Sequence, residues 1–231
     1  RNLVGGIMKI IKQSWEFLRE PNGEDILKII EESGRTCYKS EDKITEDSAR
    51  KFVTGIIKSG HHSVIEHYNL SARIITDRGV THEIVRHRLV SYCQESTRYC
   101  NYVHDKFGNE ITVILPVWFY DVKDEQYLAW KECCRHCETS YFMLSSLGQT
   151  PQQARSVLPN SLKTEIVMTC NLREWRHFFT LRTSKAAHPQ MRELAISMLE
   201  GFKEKIPVLF DDILYGKVVN DTLDLAKGNK E

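Results

Sequence analysis

The sequence has 231 residues, 41% of them hydrophobic and 27% charged, which is the composition of a globular protein and not of a disordered chain. The 32 Lys and Arg residues nearly balance the 31 Asp and Glu residues, which argues against a general nucleic-acid binder with a strongly basic domain. No apolar run approaches the roughly 18 residues of a membrane span.

Seven irregularly spaced cysteines favour a reducing cytoplasm over a disulfide framework. Residues 1–7 precede Met8, and we interpret them as a remnant of expression. We therefore expect one domain over residues 8–231, with two smaller domains as the alternative.

The first sixty residues are predicted to form a strand followed by two helices. The segment M-K-I-I-K-Q-S-W-E-F-L begins at Met8 and mixes β-branched with aromatic residues, which predicts one short strand. Apolar residues between positions 26 and 30 predict a helix that ends near Gly34, where glycine can take a left-handed cap. Apolar residues at helical spacing between positions 49 and 57 predict an amphipathic helix that stops at Gly60.

The next stretch is predicted to contain a helix cap, a strand and a helix. Ser63 and Glu66 form the S-x-x-E pattern of a capping box. Residues 69–74 alternate between polar and apolar, which predicts a half-buried strand that ends at Asp77. Apolar residues then recur at intervals of four to five positions, at Val80, Ile84 and Leu89. This spacing predicts a helix that carries Arg86 on its basic face.

Beyond residue 110 the patterns predict, in order, a strand over residues 111–116, a helix over residues 124–147 and a strand over residues 164–170. Gly148 is the expected stop of the long helix, and Pro151 suits the first turn of another. Asn171, followed three residues later by Glu174, predicts the start of a further helix.

The C-terminal part is predicted to be helical. Pro189 opens a long helix whose buried side consists of Met191, Leu194, Ala195, Met198, Leu199 and Phe202. Residues 207–215 are predicted to form one more helix. Helices outnumber strands and no internal repeat is present, so the chain is predicted to be an α/β or α+β domain.

The segment Arg86–Tyr99, R-H-R-L-V-S-Y-C-Q-E-S-T-R-Y, concentrates groups that bind anions. One interpretation is a solvated basic helix face that forms surface ion pairs. However, its three arginines are interleaved with Ser, Gln and apolar residues and not with acids at helical spacing, so their counter-charges must come from elsewhere. Because Arg suits bidentate contacts with phosphate and carboxylate, the segment predicts an anion-binding site.

Five motifs in order resemble those of the flavin-dependent thymidylate synthases. R-H-R followed by seven residues and Ser, from Arg86 to Ser96, resembles the signature of this family. The others are G-H-H-S-V-I-E-H at residues 60–67, A-R-S-V-L-P at 154–159, N-L-R at 171–173 and L-R at 181–182. The resemblance covers most of the chain.

The resemblance implies a fold, a reaction and a set of ligands. It implies an α/β (α+β) single domain with a central mixed or antiparallel sheet flanked by long helices. Family members form homotetramers that bind FAD and methylate dUMP to dTMP, with methylenetetrahydrofolate as one-carbon donor and NADPH as reductant. A soluble cytoplasmic enzyme that binds neither nucleic acid nor membrane is expected.

The resemblance also implies site residues. The FAD contacts would be Ser63, Arg86, His87, Arg88, Gln94, Asn171, Arg173 and His177. The dUMP contacts would be Glu83, Arg86, Gln94, Glu95, Ser96, Thr97, Arg98, Arg155 and Arg182. Arg182 is the expected catalytic residue, because it would stabilise the anion formed when a ring nitrogen of uracil loses its proton.

Ser96 could also be read as a nucleophile, but no activating base or G-x-S-x-G context surrounds it, so a positioning role is favoured. Cys93 and Cys100 flank the motif and are expected to be expendable. Cys133, Cys134 and Cys137 contain C-x-x-C without a second ligand pair, so buried small residues are favoured over a metal site.

Two rival functions remain at this point. The histidines could supply a metal-dependent phosphohydrolase, although no H-E-x-x-H pattern supports one. The arginines could belong to an RNA-binding module. No metal is expected.

Overall fold

The computed structural model describes residues 8–103 and 108–215. The elements in chain order are β1 (Lys9–Ile11), β2 (Ser14–Phe17), α1 (Gly23–Arg35), α2 (Ser48–Lys58), β3 (Asn69–Asp77), α3 (Arg78–Ile84), β4 (Ser91–Gln94), β5 (Thr112–Ile114), α4 (Glu125–Ser146), α5 (Pro151–Ala154), β6 (Lys163–Asn171), α6 (Leu172–Arg182) and α7 (Pro189–Lys205). Short 3₁₀ segments lie between several of them, including His62–His67.

The strands form two sheets. One has four strands in the order β2-β3-β6-β4, and the other pairs β1 with β5 in parallel, Lys9 opposite Thr112. The long strands β3 and β6 alternate between buried and more exposed residues along their length, as the period of two predicts. The mixture of helices and sheet confirms the predicted α/β class.

The chain divides into two compact units, which are described separately. Unit 1 consists of the chain up to Ser14, Ile74–Arg86 and Cys93–Ile166. Unit 2 consists of Trp15–Arg73, His87–Tyr92 and the chain from Val167 onward. The predicted domain over residues 8–231 stays a prediction.

The core of unit 1 forms under α4. Buried Cys134 and Tyr141 of this helix belong to one cluster with Ile111, Val113 and Leu162. Asp124 caps the helix by accepting hydrogen bonds from the backbone amides of residues 126 and 127. Gly148 takes φ +92° just beyond the helix, so the predicted stop is confirmed.

The core of unit 2 is built from aromatic rings of α6 and α7. The rings of Trp175 and Phe202 lie 4.8 Å apart, and those of Phe179 and Phe202 lie 4.9 Å apart. The backbone approaches closely at Gly201, where an added Cβ would lie 2.5 Å from the Trp15 ring. Pro189 begins α7, and the six apolar residues predicted for its buried side are all buried.

Two predictions in the first ninety residues are wrong. The segment from Met8 forms two strands and not one, because β1 pairs with β5 whereas β2 joins the four-stranded sheet. The helix after β3 ends at Ile84, so Arg86 lies outside it. In a helix, side chains five positions apart point about 140° apart, so Leu89 would not share the buried face of Ile84. In the structure Leu89 is 76% exposed.

Two further local predictions are also wrong. Ser63 and Glu66 do not form a capping box, because they lie in a 3₁₀ segment without a side-chain cap and Glu66 pairs instead with Arg173. Residues 207–215 form turns and no helix, since Val208 has a left-handed φ of +78° and its amide donates to Asp211.

The interpretation of residues 1–7 lies outside the described residues. All seven cysteines are free thiols in the described ranges. Within residues 8–103 and 108–215, no helix has the length and apolar character that spanning a membrane requires.

Candidate functional site

Four of the predicted nucleotide-binding residues of unit 1 lie in or beside a tight turn after β4. The Ser96 carbonyl oxygen accepts hydrogen bonds from the amides of Tyr99 and Cys100 at 3.1 and 3.0 Å, and Ser96 Oγ accepts one from the Arg98 amide at 3.3 Å. These bonds fold the chain into a compact turn. We call Ser96, Thr97, Arg98 and Arg155 the basic turn.

Neutral partners hold both guanidinium groups of the basic turn. Arg155 Nη1 donates to Oγ1 of the buried Thr97 at 3.3 Å, and Arg98 Nη2 donates to Gln152 Oε1 at 3.4 Å. Within the described parts of the chain, neither arginine has a carboxylate at ion-pair distance, and both are exposed. Two exposed guanidinium groups without a counter-ion suit an anionic ligand.

Gln94 and Glu95 are engaged within unit 1. Gln94 Nε2 donates to the hydroxyls of Thr81 and Thr164 at 3.0 and 3.3 Å. The carboxylate of Glu95 accepts a hydrogen bond from Lys163 Nζ at 3.1 Å and forms an ion pair with it. A ligand would therefore meet Gln94 through its Oε1 atom, and the negative charge of Glu95 is already balanced.

The end of α3 presents further predicted residues. Glu83 is half-buried on the last turn, and its carbonyl oxygen accepts a hydrogen bond from the Arg86 amide at 3.3 Å. Arg86 is exposed and has no ion pair in residues 8–103 and 108–215. At the start of the same helix, Arg78 Nη1 is buried without a hydrogen-bond partner among the described residues.

In unit 2, helix α6 and its N-terminal cap carry three of the predicted cofactor-binding residues. Asn171 caps the helix, because its Oδ1 accepts a hydrogen bond from the Glu174 amide at 2.9 Å, as the sequence predicts. Arg173 Nη1 forms an exposed ion pair with Glu66 at 2.6 Å. The exposed His177 ring meets the His87 ring edge to face, with 5.6 Å between the centroids.

Ser63 and Arg88 are both exposed residues of unit 2. Ser63 lies in the same 3₁₀ segment as Glu66, the partner of Arg173. Arg88 lies in the loop before β4 and makes no ion pair in the part of the chain that the structure describes. Both side chains are accessible to a ligand.

His87 is the buried centre of the unit 2 cluster. Its Nδ1 lies 3.2 Å from Glu174 Oε1, and its Nε2 accepts a hydrogen bond from Arg182 Nε at 3.1 Å. Burial lowers the pKa of His87; the Glu174 carboxylate opposes this effect, and the Arg182 guanidinium adds to it. The ring is therefore neutral near pH 7.

One group of side chains in unit 2 could hold a metal ion by proximity alone. His87, Glu174 and His177 each offer a ligand atom, and these atoms lie within 4.8 Å of one another. The Arg182 guanidinium uses the Nε2 lone pair of His87, and its positive charge opposes a cation beside it. On α4, burial raises the pKa of Cys134 to about 12, so this thiol is not a thiolate ligand near pH 7.

Sequence reasoning missed two charged partners in the clusters. Glu174 was expected only as a residue near a helix start, and Lys163 was assigned to no element and no role. Glu174 lies eight residues before Arg182 on α6, so helical spacing could have indicated a shared face. No local signal connects Lys163 to Glu95, because they are 68 positions apart.

The fold and these clusters define a mixed α/β protein with guanidinium groups arranged for anionic ligands. The pattern of the family described as "Thymidylate synthase complementing protein" matches residues 22–208. The chain belongs to this family.

Curated relatives of the chain carry the name flavin-dependent thymidylate synthase. The protein of this name from Corynebacterium aurimucosum is 34% identical over 201 residues, which cover 80% of this chain and 78% of the relative. That from Mycolicibacterium vanbaalenii is 37% identical over 196 residues, with the same two shares. That from Pyrococcus furiosus is 36% identical over 168 residues, covering 72% of this chain and 68% of the relative.

A solved structure has a similar fold. The UMP/dUMP methylase PolB from Streptomyces cacaoi, crystallised with 5-Br dUMP, superposes with a TM-score of 0.70 at 21% identity. The match covers 88% of this chain and 95% of PolB. At this identity the likeness concerns the fold alone.

Proposed function

We propose that this chain is a flavin-dependent thymidylate synthase that methylates dUMP to dTMP. The observation that carries the proposal is family membership over residues 22–208, with curated relatives of that name at 32–37% identity. The exposed arginines that have no carboxylate partner among the described residues support it, because the proposed ligands are anions.

The donor set of the chain fits an anionic cofactor such as FAD. Arg88 is exposed without an ion pair among the described residues, and a pyrophosphate would supply the missing counter-charge. Asn171 Oδ1 is used as a helix cap, so this residue would offer its amide nitrogen. The cofactor contacts that we propose are Ser63, Arg86, His87, Arg88, Gln94, Asn171, Arg173 and His177.

The basic turn would bind the phosphate of dUMP. Arg98 and Arg155 supply two guanidinium groups, and the hydroxyl of buried Thr97 holds Arg155 in place. Ser96 would position the nucleotide, since its Oγ accepts a hydrogen bond from the Arg98 amide. We propose further contacts from Glu83, Arg86, Gln94, Glu95 and Arg182.

Arg182 would stabilise the negative charge that develops on the pyrimidine when a ring nitrogen loses its proton. The half-buried position of its side chain supports this role, because charge stabilisation is stronger where water is partly excluded. A reduced flavin, when bound, supplies hydride to such a ring. Methylenetetrahydrofolate as one-carbon donor, NADPH as reductant, a homotetramer and a cytoplasmic location complete the proposal.

The test is product formation by the purified full chain loaded with FAD. With NADPH, dUMP and methylenetetrahydrofolate present, we expect dTMP, and omission of any one component should abolish it. Arg182→Ala should retain bound flavin and lose most of the turnover. Full turnover by this variant would contradict the role of Arg182, and a flavin-loaded wild-type protein that forms no dTMP would contradict the proposed reaction.

A further inference from the structure

One face of α6 carries a stripe in which Arg182 has a proposed role and Glu174 has none. Glu174, Phe178 and Arg182 occupy positions i, i+4 and i+8, so their side chains lie along one face of the helix over about 12 Å. The His87 ring lies against this stripe: it contacts Glu174 at one nitrogen and Arg182 at the other, and packs edge to face on Phe178 at 5.1 Å.

The hydrogen bonds of this stripe select one tautomer of His87. Because Arg182 Nε can only donate, His87 Nε2 must present its lone pair. The proton of the neutral ring is then on Nδ1, where the Glu174 carboxylate accepts it. Without that acceptor, the ring could place its proton on Nε2, which would oppose the Arg182 donor.

The surroundings keep the ring in this orientation. His87 is 4% exposed and Glu174 is 8% exposed, so water does not readily replace either partner. The Tyr92 hydroxyl donates to the His87 carbonyl oxygen at 2.9 Å and fixes the backbone. The Asn171 cap fixes the backbone amide of Glu174.

We propose that Glu174 is a positioning residue for Arg182, acting through the His87 ring, and that it thereby sets the orientation of the guanidinium toward the anionic pyrimidine. This inference rests on the proposed function, in which Arg182 acts on the substrate. An arginine already held at Nε does not have to be ordered when the ligand arrives, so its charge is in place for the reaction. Any contact that Arg182 makes with a ligand would then come from its Nη atoms.

Kinetics of Glu174→Leu, which removes the acceptor for the His87 Nδ1 proton, provide the first test. We expect kcat to fall by about 10- to 100-fold because the guanidinium loses its fixed orientation, with KM for dUMP changed much less. Glu31→Leu is the matched control, since Glu31 is a buried carboxylate of the same unit that pairs with Arg35, and it should leave kcat unchanged. A wild-type kcat in Glu174→Leu would overturn the proposal.

A double-mutant cycle separates positioning from a general structural loss. Lysine has no Nε–H donor in this geometry, so in an Arg182→Lys background Glu174→Leu should lower kcat by less than about threefold. Equal losses in both backgrounds would show that Glu174 acts independently of Arg182 and would overturn the proposal.

The pH profile gives a second readout. The titratable and charged groups facing the His87 ring are Glu174, His177 and Arg182, all on α6. Protonated His87 cannot accept from Arg182, so activity should fall as pH decreases through the pKa of His87. Because Glu174 raises this pKa, Glu174→Gln should move the acid limb to lower pH. A purely structural loss would move the limb to higher pH, as the variant unfolds earlier in acid.

A spectroscopic measurement on the flavin-free full chain does not depend on activity. The ¹⁵N signals of His87, assigned by their absence in His87→Gln, should show the Nδ1–H tautomer at neutral pH. An Nε2–H tautomer or an imidazolium would overturn the proposal even if no variant is active. If the wild-type chain formed no dTMP, the proposed function would be wrong. The tautomer of His87 would still test whether Glu174 and Arg182 contact the ring as described.

Discussion

Arg155→Ala provides a quantitative test of the basic turn. The exposed Arg155 side chain makes one hydrogen bond within the described part of the chain, to Thr97 at 3.3 Å, so its removal should change the free energy of unfolding by no more than about 0.5 kcal/mol. A charge-assisted contact with phosphate contributes about 1.5–3 kcal/mol. The Kd for dUMP should therefore rise by about 10- to 150-fold.

Isothermal titration calorimetry of the full chain with dUMP measures this effect, and deoxyuridine shows whether it depends on the phosphate. Arg155→Ala should weaken dUMP binding and leave deoxyuridine binding unchanged. Arg135→Ala is the matched control, because Arg135 is also an exposed arginine of unit 1 but is paired with Glu132. A Kd for dUMP within about twofold of wild type in Arg155→Ala would refute the assignment.

Two further predictions concern packing and thiol reactivity. Gly34→Val should lower the free energy of unfolding by about 1–3 kcal/mol, because an added Cβ would lie 2.7 Å from the Phe52 ring. At Gly55 an added Cβ would meet nothing within 4 Å, so Gly55→Ala should raise the free energy of unfolding by up to about 1 kcal/mol. Urea titrations in which the unfolding midpoints of both variants shift in the same direction would contradict the packing. With a disulfide reagent, exposed Cys133 should react in the native protein and buried Cys134 only after unfolding, and equal rates would contradict the burial of Cys134.

The features that the sequence predicted well depend on neighbouring residues. Asn171 caps α6 through the Glu174 amide three positions on, and Pro189 begins α7 because its fixed φ suits a first helical turn. Both signals come from residues within one helical turn of the feature that they predict. The end of α3 at Ile84 was missed, because the apolar spacing to Leu89 imitates a helical repeat only loosely.

The contacts that define the clusters were beyond sequence reasoning. Arg182 and His87 are 95 positions apart, and their hydrogen bond depends on how the loop before β4 packs against α6 within unit 2. The motifs identified both residues but gave no indication that they touch. The sequence indicated Glu174 only as part of a helix start, whereas in the structure its carboxylate contacts His87.

A single turnover under anaerobic conditions tests the proposed thymidylate synthase reaction directly. The FAD-loaded full chain is reduced with one equivalent of NADPH, freed of excess reductant, and mixed with dUMP and methylenetetrahydrofolate. We expect the absorbance of oxidised flavin to return as dTMP forms, in amounts that match the reduced flavin. Reoxidation of the flavin without dTMP, or no reoxidation when both substrates are present, would contradict it.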